Sequence, residues 1–356
     1  MDNLLLDVLS QRLTLAELTT QQWDRLLRSA REAEVTGRIQ RLRTEESSEE
    51  GLPGFVRHQL DSAAVQMAAQ HRAVLYEVEH LEKIFNDAGI PHIYLKGAAY
   101  LLAGSANSQG RLFSDIDLLV PESDLHKAEQ ELRDQGWVST HANAYDQQYY
   151  RRFMHELPPM VHVKRGTVLD LHHNILPRTA RHLPDAEQLF ATAVTLAGGA
   201  KVPDGVDRLL HCASHLFHEG EVKQGVRGLV DIDLLYRELS QQQRQQLLGR
   251  AEQLHLQRSL YYGLRYSERY LSTPIDEAIR RQLSLIAPGA PARIAMDWFY
   301  YSVFNIAAEE PVSARHLVSE FMVYLRGHYL RMPLYRLLPH LLIKGIKPLQ
   351  KQQARA

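Results

Sequence analysis

Residues 95–120 read LKGAAYLLAGSANSQGRLFSDIDLLV. The last six letters set two aspartates one residue apart, Asp115 and Asp117, in a run that otherwise reads as a buried strand. Aspartate is a poor strand former, and a buried carboxylate without a partner is costly. On a strand, residues i and i+2 point to the same side, so the two carboxylates would project together while Ile116 and Leu118 face away. Two carboxylates held this close repel, and desolvation raises the cost further.

The surrounding segments define the setting. Upstream, IPHIYL (Ile90–Leu95) is β-branched and aromatic and follows the helix stop at Gly89. Gly97 then opens a short helix of small residues, GAAYLLAG. Downstream, ESDLHKAEQELRDQGW (Glu122–Trp137) reads as a helix, with Ser123 or Asp124 near its start and Gly136 just past its end. PMVHV and TVLDLHH read as two strands joined by Lys164-Arg165-Gly166, a hairpin. The second of these carries Asp170 between Leu169 and Leu171, a third carboxylate in an apolar strand. The alternation of strands and helices predicts an α+β unit built on a small mixed sheet.

This constellation has a chemical logic. Mg2+ (or Mn2+) between paired carboxylates offsets their repulsion and completes its shell with water and phosphate oxygens. A glycine before a helix lets a phosphate approach the backbone, and a helix N-terminus favours anions. Glycine before a helix, D-x-D on the next strand and a lone aspartate on a later strand together describe a metal-dependent phosphoryl or nucleotidyl transfer site.

The segment resembles the nucleotidyltransferases of the DNA polymerase β-like superfamily. Their signature is a hydrophobic residue and Gly–Gly/Ser, a spacer, Asp–hydrophobic–Asp/Glu–hydrophobic, and a third Asp on a later strand. More narrowly it is similar to a bacterial family of uncharacterised nucleotidyltransferases. Its motifs stand here as Leu95-Lys96-Gly97, Arg111 to Val120, and Asp170-Leu171-His172. The resemblance is close from Ile90 to Asn174 and becomes a general pattern of helices and histidines around Leu209–Tyr236. It implies that Asp115, Asp117 and Asp170 bind the metal ions and carry catalysis. It further implies that Gly97 holds a nucleoside triphosphate, with Lys96, Arg111 and Ser114 near the phosphates. Two departures stand out: Ala98 replaces the second Gly or Ser, and the spacer before Asp115 is longer than usual.

The rest of the chain reads as helical flanks. Of its 356 residues 45% are hydrophobic and 23% charged, which fits a globular protein with a sizeable core. The net charge of −1 gives no global electrostatic case for nucleic acid or membrane. One cysteine, Cys212, excludes an intrachain disulfide and a cysteine zinc site and fits a reducing, cytoplasmic setting. Asp2 and Asp7 break any signal-peptide pattern, and no apolar run reaches the roughly 20 residues of a membrane span. A capping box at Thr14–Glu17 and a long helix from Gly54 to Ala88 precede the sheet. Past Pro184 the pattern is helical, with helices expected near Val206–His218, Gly228–Arg237, Gln241–Leu254, Gln257–Leu271, Asp276–Leu285, Arg293–Ala307 and Ala314–Arg326. The expected layout is a helical region over 1–88, the nucleotidyltransferase core over 89–200, and a helical domain with a basic tail over 201–356.

Each motif also has a plainer reading. LVDIDLLY repeats Asp-Ile-Asp-Leu-Leu at Asp231 and Asp233, but in a helical context where i and i+2 diverge by about 200°. That pair is expected to be structural or interdomain. Lys96 can be a snorkelling strand-end lysine, and Arg111 can pair with Asp115. His172 shares the strand face of Asp170, as a packed histidine or a residue behind the metal ligands. His211, His215 and His218 share one helix without the Glu of H-E-x-x-H, so polar contacts facing the cleft are favoured over zinc. The stretch after Glu320 has no acidic residue and carries Arg326, Arg331, Arg336, Lys344, Lys347, Lys351 and Arg355. It packs by its Leu face or binds an anionic partner or membrane surface.

The expected activity is transfer of a nucleotide from an NTP to an acceptor hydroxyl, with release of pyrophosphate. The acceptor (a protein, a tRNA end, a sugar or a metabolite), the base and the oligomeric state are open. The rival readings are a catalytically silent module on the same fold and a phosphotransferase.

Overall fold

The computed structural model describes residues 3–46, 51–140, 144–219, 224–305 and 313–331. Five short strands form its main sheet: β1 (Ile93–Leu95), β2 (Ile116–Leu119), β3 (Trp137–Ser139), β4 (Met160–His162) and β5 (Val168–His172). Their order is β1-β2-β5-β4-β3. β2 and β5 run parallel, and the other neighbours are antiparallel, so the sheet is mixed as expected. The helix Leu125–Asp134 and the β3–β4 pair make the connection that lets β5 return beside β2 in the same direction. β4 and β5 form the expected hairpin, turning at Gly166 with φ 71°. Between β2 and β4 two elements are not anticipated from the sequence: β3, whose three residues lack alternation, and the helix Ala144–Phe153. A separate ribbon pairs Val194–Thr195 with Lys201–Val202, a departure from the helical pattern expected past Pro184.

The long helix Gly54–Asp87 joins two cores. Its first turns place Val56 and Leu60 among helices from both ends of the chain, including Leu5, Trp23, Leu42, Leu229 and Tyr266. Its last turns place Val74, Val78, Leu81 and Phe85 on the sheet beside Ile116, Leu118 and Leu169. The N-terminal helices thus share a core with the C-terminal helices, and Asn3 reaches Asn305 with a 2.8 Å hydrogen bond.

The expected helices form with shifts of a few residues, as at Gly205–Glu219, Gly225–Glu238 and Gln257–Leu271. The last runs on to Arg331. Most of the basic tail, from Arg336 onward, lies outside the described residues. Arg326 is packed: it donates to the Phe217 carbonyl at 2.5 Å and covers the Tyr262 ring. Among the described residues no helix is long and apolar enough to cross a membrane.

Candidate active site

The parallel ladder sets the centre of the site. Asp117 on β2 is the register partner of Asp170 on β5, and Leu95 flanks it from β1. Asp115 stands one residue before β2. It lines the same cavity as Asp117, a space of about 250 Å³, with Lys96, Gly97, Arg111 and Ser114. A strand-end position explains why the two aspartates differ: Asp117 is held in the ladder and buried, whereas Asp115 is half-buried.

Lys96 follows the last residue of β1 and takes a left-handed backbone, φ 43°. That unusual turn brings its ammonium 2.7 Å from Asp117 Oδ1. His172 Nε2 lies 2.9 Å from the same oxygen. Burial alone would push the Asp117 carboxyl up, but the Lys96 charge and the His172 contact outweigh it and hold it far below the usual carboxylate range. Lys96 also acts on Asp170, but as the weakest influence there. Burial, then the charges of Asp117 and Asp115, push it up to about 7. Burial and Asp117 raise Asp115 as well.

Gly97 has a packing reason. A Cβ there would come 2.4 Å from the Phe113 ring, so only glycine lets the helix Lys96–Leu102 lie on the segment leading to Asp115. The long helix pins that segment from behind. Gln70 accepts from the Phe113 amide at 2.7 Å and donates to its carbonyl, and His71 contacts the Arg111 carbonyl.

Arg111 does not pair with Asp115. Its guanidinium forms an ion pair with Asp231, 120 residues away, and stacks over Tyr100. The second Asp-x-Asp therefore ties the helical region to the sheet region through Asp231. Asp233 turns aside to Arg237 and Thr273. Ser114 is exposed at the rim.

The cavity has a second wall that motif reading did not assemble: Glu34, His215, Gln224, Arg227 and Asp231. Glu34 accepts from both Gln224 and Arg227. Two sequence signals point there: the repeated Asp-x-Asp, through Asp231, and the histidine helix expected to face the cleft, of which His215 lines the cavity. His211 is buried behind this wall, its imidazole pushed well below its usual range by burial and then by Lys96. His218 is half-buried and does not line the cavity.

The donor set of the strands suits a cation. Asp170 Oδ1 is buried and has no hydrogen-bond partner among the described residues. Donor atoms of Asp117, Asp170 and His172 lie within 4.8 Å of one another. Three carboxylates face one ammonium, a charge imbalance that a divalent ion removes. A family model described as uncharacterised nucleotidyltransferase matches residues 19–272. No curated protein matches the chain.

Proposed function

The chain belongs to this nucleotidyltransferase family, and we propose that it moves a nucleotide from a nucleoside triphosphate to an acceptor hydroxyl, releasing pyrophosphate. The observation that carries the proposal is the pairing of Asp117 with Asp170 across the parallel ladder, with Asp115 on the same cavity as Asp117.

Asp115, Asp117 and Asp170 would hold a divalent ion, Mg2+ or Mn2+. When bound, such an ion offsets the negative charge that develops on the phosphates in the transition state. Lys96 fixes Asp117 through its ammonium, and His172 fixes the same oxygen from the other side. Asp170 is also the candidate base toward the acceptor hydroxyl, alongside its place among the carboxylates that would hold the ion. Gly97 lines the cavity, where its backbone meets the triphosphate. Arg111 serves the phosphates from the cavity side while Asp231 holds it in place. The acceptor enters between the sheet and the wall formed by Glu34, His215 and Arg227.

The test is incubation of the full chain with each α-labelled NTP, Mg2+ or Mn2+, and cell extract. Transfer of α-label that is lost in the Asp115→Ala/Asp117→Ala variant supports the proposal. Transfer of γ-label instead marks a phosphotransferase. No variant-sensitive label with any NTP marks a silent module.

A further inference from the structure

We infer that His155, Glu156 and His172 form a second metal site, built for a divalent transition ion such as Zn2+. Their donor atoms (one imidazole nitrogen from each histidine, one carboxylate oxygen) lie within 4.8 Å of one another. His172 Nε2 stands 3.5 Å from Glu156 Oε2, and His155 Nε2 stands 3.8 Å from it. Two ligands each about 2.1 Å from zinc are about 3.4 Å apart at the tetrahedral angle, so the two pairs that include Glu156 need only a small closure. Two imidazoles and one carboxylate select zinc and its neighbours over Mg2+, which prefers oxygen.

The backbone prebuilds the arrangement. Glu156 forms an antiparallel bridge with His172. The flanking amides extend it: Leu157 N–H donates to the Leu171 carbonyl at 2.9 Å, and His173 N–H to the His155 carbonyl at 2.8 Å. Glu156 and His172 are therefore cross-strand neighbours on one face, and the His155 and His172 rings lie 5.2 Å apart. Both histidines are buried, and Glu156 is the partly open member, with 15% of its side chain exposed. An ion enters along Glu156.

The site has a consequence for its neighbour. His172 Nε2 is the atom that contacts Asp117, and an imidazole nitrogen either donates a hydrogen bond or ligates a metal. Occupancy by zinc takes His172 from Asp117 and loosens one of the two groups that fix it. The metal site itself stands apart from the nucleotidyl reading, because its assay reads bound metal and not turnover.

The experiment uses the full chain, stripped by chelator and titrated with Co2+. The expected result is one equivalent of Co2+ that gives the intense visible bands of a four-coordinate nitrogen-containing site, bleached by Zn2+, whatever colourless or weakly coloured Co2+ the aspartates hold besides. His155→Ala and Glu156→Gln should each weaken the bands' apparent affinity by about 100-fold or abolish them. Glu156→Gln keeps the side-chain volume, so a native circular dichroism spectrum with lost bands supports the site directly. Asp115→Asn should leave the bands unchanged. Absence of such bands in the wild type, or their persistence in both His155→Ala and Glu156→Gln, would overturn the inference. Loss of the bands in Asp115→Asn alone would overturn it too, by assigning the ion to the aspartate cluster.

Discussion

Asp117 and Asp170 sit side by side in the parallel β2–β5 ladder, and Lys96 favours one of them: its ammonium lies 2.7 Å from Asp117 and acts on Asp170 more weakly than burial and the neighbouring carboxylates do. The two neighbouring carboxyls are therefore driven in opposite directions, Asp117 down and Asp170 up to about 7. Pairs whose environments split them in this way mark acid–base and metal chemistry.

Asp117→Asn and Asp170→Asn are each expected to cut label transfer by roughly 10²–10³-fold or more, the scale of losing one preorganised charge in a water-poor site. Initial rates at saturating NTP check this. Wild-type rates in either variant would remove these residues from catalysis.

The raised Asp170 carboxyl makes stability depend on pH. Its folded-state value exceeds its ordinary value of about 4. Between those values the folded chain holds a proton that the unfolded chain has released, so stability falls as pH rises. The contribution is fully present below about pH 4 and gone above about pH 7. Thermal melting of the metal-free chain should show lower stability at pH 8 than at pH 6, and Asp170→Asn should flatten that slope. Adding Mg2+ or Mn2+ at pH 8 should restore stability in the wild type and do less in the variant.

Lys96 combines a charge with a left-handed backbone, φ 43°. Lys96→Ala and Lys96→Gly both remove the ammonium from Asp117, so both should lose activity. Glycine tolerates the backbone, so Lys96→Gly should be more stable than Lys96→Ala by about 1 kcal/mol. Urea unfolding measures the difference, and equal stabilities would count against strain at this turn.

Gly97→Ala would set a methyl group 2.4 Å from the Phe113 ring. Overpacking of this kind costs typically about 1–3 kcal/mol. Phe113→Leu in the same chain should recover part of that loss, a coupling read by a double-mutant cycle.

Arg111 and Asp231 are both largely buried, with 15% and 5% of their side chains exposed. Removing one partner of a buried pair costs about 3–5 kcal/mol, because the other charge is stranded. Arg111→Ala and Asp231→Ala should each destabilise on that scale. The joint replacement Arg111→Met/Asp231→Leu should cost less than either. If the single variants are as stable as the wild type, the pair does not join the two regions.

Much of the site was legible because its cues are local. A β-branched run after Gly89, Asp-x-Asp in an apolar strand and Asp170 between two leucines act over a few residues each. The same holds for the hairpin turning at Gly166 and the long helix from Gly54. The misses are also physical. β3 starts at Trp137, directly after the helix stop at Gly136, and its three residues carry no β-branched run or alternation to separate them from that helix. Arg111 had a sequence neighbour in Asp115, yet a buried carboxylate on a distant helix, Asp231, took it.

The sequence by itself determined the α+β layout, the acidic motif and the glycine before its helix, because strand alternation and helix stops follow from neighbouring side chains. Only the tertiary structure decided which charges meet. Register set Asp117 beside Asp170, and the turn at Lys96 put its ammonium against Asp117. Helix packing brought Asp231 to Arg111, and a bridge between two chain segments set Glu156 and His155 against His172. Electrostatic energy depends on distance through space, and sequence separation carries no record of that distance until the chain is folded.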